Sequence, residues 1–95
     1  MRNPEPLTRY RVTDHAKAQM TSRHIREEDV AHVLAGPEQV AVVRPGRYVY
    51  QSRVLLGEPP KTYLLRVFVD MDRKPPAVVT VYRTSKVMKY WRTDR

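Results

Sequence analysis

The sequence predicts an α+β domain: two N-terminal helices packed on one face of a four-stranded antiparallel sheet, followed by a short C-terminal helix. Three observations carry that prediction. Apolar residues recur at helical spacing in the first third of the chain. After Pro37 the pattern changes to β-branched and aromatic runs. The links between those runs are a few residues long, which makes neighbouring strands antiparallel. Ninety-five residues leave room for a single domain, over residues 10–95, with 1–9 as a loose, proline-containing arm.

Each element has a local reason. Tyr10-Arg11-Val12 suits a short strand or an extended lead-in. Thr13 or Asp14 can cap a first helix over 14–22, whose Ala16 and Met20 face inward. A second helix, over 27–35, opens with Glu27, Glu28 and Asp29 at the positive end of its dipole. Ile25 and Val30 form a hydrophobic staple there, although Arg26 is a poor cap. Val30, Val33 and Leu34 make its apolar stripe, and Gly36-Pro37 stops it. Strands are expected over 39–44, 47–56, 62–70 and 77–83, with Pro45-Gly46 as the first turn and Gly57 to Pro60 as the second. Residues 86–91 then read as the short helix.

Composition narrows the function. Eighteen Lys and Arg against ten Asp and Glu give a net charge of +8, which implies a polyanionic partner such as RNA, a ribosome or an acidic protein. The absence of cysteine excludes a disulfide scaffold, a thiolate nucleophile and a Cys-ligated metal site. No apolar run approaches the roughly 18 residues of a spanning helix. Met1 to Pro6 lacks the apolar core of a secretory leader. A cytoplasmic protein without a membrane segment is therefore expected. No Gly-rich phosphate loop, nucleophile elbow or HExxH motif occurs, and neither a cofactor nor a metal is expected.

Alternation selects the candidate site. Leu65, Val67 and Val69 form the inward set of the third strand, so Arg66 points the other way with Leu64 and Phe68. Val79 and Val81 are the expected core residues of the last strand, leaving Val78, Thr80 and Tyr82 opposite. The second strand stays undecided, with Val49 and Leu55 competing against Tyr48, Tyr50 and Val54. On this choice Arg66, Thr80 and Tyr82 share one face; the plainer alternative lays the Arg66 stem along Leu64 and Phe68. His15 occupies the first turn of the first helix, where the dipole opposes added positive charge. The run Tyr82-Arg83-Thr84-Ser85-Lys86 is the densest basic and hydroxyl constellation, suited to phosphate or to an ordinary helix cap.

These segments in this order, Thr13-Asp14-His15-Ala16, Arg23-His24-Ile25, Glu28-Asp29-Val30, Val33-Leu34, Gly46-Arg47-Tyr48, Leu65-Arg66-Val67, Val79-Thr80-Val81-Tyr82 and Tyr90-Trp91, resemble a widespread bacterial domain of unassigned function. That domain is similar to the BrnT and RelE toxins of the barnase–EndoU–colicin–RelE nuclease superfamily. The resemblance implies RNA cleavage on the sheet face away from the helices and a small acidic antitoxin as partner. It implies catalytic roles for His15, Arg66, Tyr82 and Arg83, and substrate contacts from Arg23 and Thr80, to which Lys86 of the basic run adds charge. In that scheme His15 is base or acid, Arg66 and Arg83 clamp the phosphate, and Tyr82 is the partner acid or orienter. No Lys/Arg/Tyr set aligns with the RelE active site, so ribosome dependence stays open, as does a homodimer. Two other readings remain: a non-catalytic RNA- or ribosome-binding module, and an interaction subunit that seats an acidic partner.

Overall fold

The computed structural model describes residues 6–93. In chain order the elements are β1 (Arg11–Val12), α1 (Asp14–Ser22), α2 (Glu27–Ala35), β2 (Gln39–Arg44), β3 (Arg47–Leu56), β4 (Lys61–Asp70), β5 (Ala77–Thr84) and α3 (Val87–Tyr90). The expected helices and main strands form within a residue or so of their predicted bounds. The α+β class holds, but the sheet does not have four antiparallel strands. It has five, in the order β1-β5-β4-β3-β2, and it is mixed, because β1 joins β5 in parallel. Two residues are too few to produce an alternation signal, so sequence alone does not distinguish a strand from a lead-in there. Consequently the two longer helices follow a strand instead of opening the fold.

Local chemistry accounts for the helix starts. Thr13 Oγ1 accepts the Ala16 N–H at 3.2 Å and caps α1. Asp29 reaches back from the first turn of α2 to the Arg26 N–H and guanidinium. Ile25 and Val30 are both buried, as a staple requires. Both helices cover one sheet face, where Met20, Val33 and Leu34 meet Tyr50, Val67 and Val81 in a continuous core. Residues 1–5 of the expected arm lie outside the described residues. Within the remainder, Leu7 packs against this core and donates its N–H to the Leu34 carbonyl at 2.8 Å.

Register settles the faces that alternation left open. Tyr50 is core, with Tyr48 and Val54 packed beside it, whereas Leu55 is exposed. The expected pairing of Val79 with Val81 in the core is corrected to Val78 with Val81, both fully buried. The cause is a register shift: Phe68 faces Thr80 and Val69 faces Val78, so Val79 is the extra residue of a bulge. At the Pro45-Gly46 turn, Gly46 has φ +85°, and a Cβ there would lie 2.7 Å from Asp72 Oδ2.

Beyond β1 the edge of β5 would be open, and α1 closes it. Gln19 Oε1 accepts the Val81 N–H at 2.9 Å, and Arg23 Nη1 donates to the Val81 carbonyl at 2.8 Å. Two side chains one helical turn apart thus satisfy a strand edge that would otherwise invite pairing. Among the described residues, no helix is long and apolar enough to cross a membrane.

The β3–β4 pair is tied at one end by Arg47 and Asp70, with Nε 2.6 Å from Oδ1. Hydrogen bonding from Arg47 holds the Asp70 carboxyl below its ordinary value, outweighing the opposing effect of desolvation. A carboxyl depressed in the folded state stabilises fully above its unfolded value, about pH 4. That contribution is lost as pH falls through the lower folded value. Arg47→Met is therefore expected to unfold at a higher pH in an acid titration. Its deficit against wild type should be full at pH 7 and vanish at the acid extreme. A deficit equal at all pH values would contradict this account.

Candidate functional site

The face away from α1 and α2 holds a polar cluster built on three strands. Gln51, Arg66 and Tyr82 are direct register partners across β3, β4 and β5, so pairing alone sets them side by side. Arg66 donates from Nε to Gln51 Oε1 at 2.8 Å and from Nη1 to the Tyr82 hydroxyl at 2.7 Å. Its guanidinium carbon lies 4.3 Å from the Tyr90 ring centre, 5.2 Å from Phe68 and 5.7 Å from Tyr82. Phe68 and Tyr82 stack at 6.0 Å, and Tyr90 meets Tyr82 edge-on at 6.3 Å. A cation ringed by aromatic faces keeps its charge while shedding part of its water. Arg66, Phe68, Tyr82 and Tyr90 are all half-buried, so solvent still reaches the cluster.

The C-terminal segment completes this face. After Lys86, whose N–H bonds Thr84 Oγ1 at 3.0 Å, one turn of helix carries Tyr90 over Arg66. Trp91 follows and lies over the Arg53 guanidinium at 4.3 Å. Two buried glutamines stand beneath. Gln51 Nε2 donates to Gln39 Oε1 at 2.8 Å and to the Tyr90 carbonyl at 3.2 Å, while Gln39 Nε2 donates to the Arg92 carbonyl at 2.7 Å. Desolvation pushes the Tyr90 phenol up, but Lys89, the Tyr82 hydroxyl and Arg66 together outweigh it and hold the phenol below its ordinary value.

The structure gathers some of the sequence-predicted residues and separates others. Arg66 and Tyr82 touch, and Thr80 shares their face beside Phe68. Arg83 does not join them, because adjacent strand residues point to opposite faces. It lies on the helical side, lining a notch with Ile25, Asp29 and Leu56. The expected clamp of Arg66 with Arg83 is thus divided by the sheet. Arg23 bonds the β5 edge. Lys86 is exposed at the start of α3. His15 is exposed on α1, in the helical layer, and its side chain forms no hydrogen bond or ion pair with the described residues. Among the described residues, no three His, Asp or Glu side chains gather into a metal-binding group.

Gln39 and Gln51 were missed by the sequence reading. Their signal was present but unreadable without register: both are uncharged polar residues inside strands, and pairing makes them direct partners. No curated protein and no solved structure matches the chain. Residues 12–83, from the end of β1 through nearly all of β5, match the model called Domain of unknown function (DUF4258), and the chain belongs to that family.

Proposed function

We propose that the protein is a RelE/BrnT-like endoribonuclease toxin that works in the cytoplasm, is restrained by an acidic antitoxin, and cleaves RNA at the sheet face bearing Arg66, Tyr82 and Tyr90. The observation that carries this reading is one guanidinium hydrogen-bonded to the Tyr82 phenol and packed against the Tyr90 ring, on an accessible face of a chain with net charge +8. Arg66 uses Nε and Nη1 internally, which leaves Nη2 for a non-bridging phosphate oxygen. Tyr90, whose phenol is held below its ordinary value, acts in its ionised form: the phenolate takes the proton from the ribose 2′-OH as O2′ attacks phosphorus. The P–O5′ bond breaks as the 5′-oxygen takes the Tyr82 proton. Because its oxygen accepts from Arg66, the Tyr82 hydroxyl remains a donor, and the proton it offers the Tyr90 oxygen at rest turns to the 5′-oxygen once Tyr90 has been protonated. The products are a 2′,3′-cyclic phosphate and a 5′-hydroxyl end.

In this scheme the proton roles first given to His15 pass to the two tyrosines, and the phosphate is held by Arg66 without Arg83. A single 2′-deoxy substitution at the cleaved nucleotide should abolish the reaction. Undiminished cutting of that substrate would rule the mechanism out. Tyr82→Phe should slow cleavage by about a hundredfold, within the usual range for a lost general acid.

A second reading has its own support. Two of the Arg66 nitrogens already have partners, as expected of a side chain held for binding rather than turnover. A non-catalytic RNA-binding module predicts salt-dependent binding and no strand breaks.

A further inference from the structure

We propose that Gln39 and Gln51 are positioning residues, whose side-chain amides dock the Tyr90–Arg92 backbone across the sheet and so complete the site around Arg66. Arg66 sets the polarity of the network. A guanidinium only donates, so Gln51 must turn Oε1 toward Arg66 Nε, at 2.8 Å. That leaves Gln51 Nε2 to donate to the Tyr90 carbonyl and to Gln39 Oε1. Gln39 is then fixed as well: its Oε1 also accepts the Arg92 N–H at 3.1 Å, and its Nε2 donates to the Arg92 carbonyl at 2.7 Å. Turning either amide over would set donor against donor and acceptor against acceptor.

Glutamine suits both places because each needs a donor and an acceptor on one neutral head. Both side chains are nearly excluded from solvent, at 6% for Gln39 and 1% for Gln51. Buried amides hold their partners firmly, since an unmade bond there cannot be replaced by water. The helix that leads into the segment is weak by itself. Helix α3 is four residues long and lacks a side-chain cap, and a single turn is not stable alone. Tyr90, Trp91 and Arg92 also lie beyond the residues matched by the family model, which end at 83. The docked segment thus adds Tyr90 to an Arg66–Tyr82 pair that lies within the matched region. The docking stands on geometry alone; its consequence for catalysis rests on the nuclease reading.

Trp91 is the single tryptophan, so its fluorescence reports the docked state. In the wild-type protein the Arg92 N–H should exchange with deuterium at least about tenfold more slowly than an unstructured amide. Gln39→Met keeps the side-chain length and removes three hydrogen bonds. It should raise acrylamide quenching of Trp91 about twofold or more while the far-ultraviolet circular dichroism stays unchanged. Unprotected exchange at Arg92 overturns the docking, and this measurement needs no variant. Unchanged quenching in a folded Gln39→Met protein overturns it too. For positioning, Gln51→Met should lower kcat about tenfold with KM little changed, because substrate charge contacts remain. Unaltered kcat in that variant, with wild type cleaving RNA, overturns the positioning role. A wild-type protein that protects Arg92 yet cuts no RNA sinks the nuclease reading and leaves the docking in place.

Discussion

Arg66→Met is expected to lower RNA cleavage about a hundred- to a thousandfold, the range seen when one preorganised donor to a developing oxyanion is removed. Methionine preserves the apolar stem against Phe68 and Tyr90 but removes every donor. Arg66→Lys should fare nearly as badly despite keeping the charge. The site uses a planar fork with Nε on Gln51 and Nη1 on Tyr82, and an ammonium group cannot hold that geometry. Cleavage rates and RNA affinities of the two variants should be measured with circular dichroism as a fold control. The overall fold should survive, because the guanidinium is half-exposed and the Tyr82 hydroxyl stays within reach of water; the local cost is the buried Gln51 Oε1, which loses its donor. Folded Arg66→Lys protein cleaving at the wild-type rate would refute the fork.

Leu34→Ala should have the largest effect on stability. Leu34 is fully buried in α2, among residues that join both helices to the sheet. Leucine-to-alanine changes at such sites cost about 2–5 kcal/mol, through lost transfer energy and the cavity left behind. A domain of this size has roughly 5–14 kcal/mol in total, so a large share of its stability is at stake. The unfolding midpoint should fall by roughly 10–20 °C, given the small unfolding entropy of a short chain. Thermal melts followed at 222 nm would measure it. A fall of less than about 3 °C, well below one kcal/mol on that scale, would mean that α2 does not seal the core.

Much of the fold was legible because strong local signals agreed with tertiary packing. Thr13 announced α1, Glu27 to Asp29 announced α2, and Pro45-Gly46 fixed the first hairpin. The errors have physical causes. Strand β1 is too short to display a period, and its partner Ala77–Val78 lies 66 residues away in register. The bulge at Val79 changes the phase of β5, so alternation named Val79 where Val78 is core. Arg66 and Tyr82 could be placed on one face because β4 alternates cleanly below the bulge. Arg83 is joined to them by the family resemblance, against the alternation that sends it to the helical side. Gln39 and Gln51 could not be singled out, because their importance lies in a cross-strand register and a tail contact that no local pattern encodes.

The central claim is that RNA meets the sheet face around Arg66. An NMR titration of isotopically labelled protein with a 2′-deoxy-blocked, single-stranded RNA tests it most directly, since the ligand binds without being cut. The account predicts the largest shifts at Arg66, Phe68, Tyr82 and Tyr90, with the Trp91 indole following. Shifts confined to the helical layer around His15, or to the notch at Arg83, would contradict it.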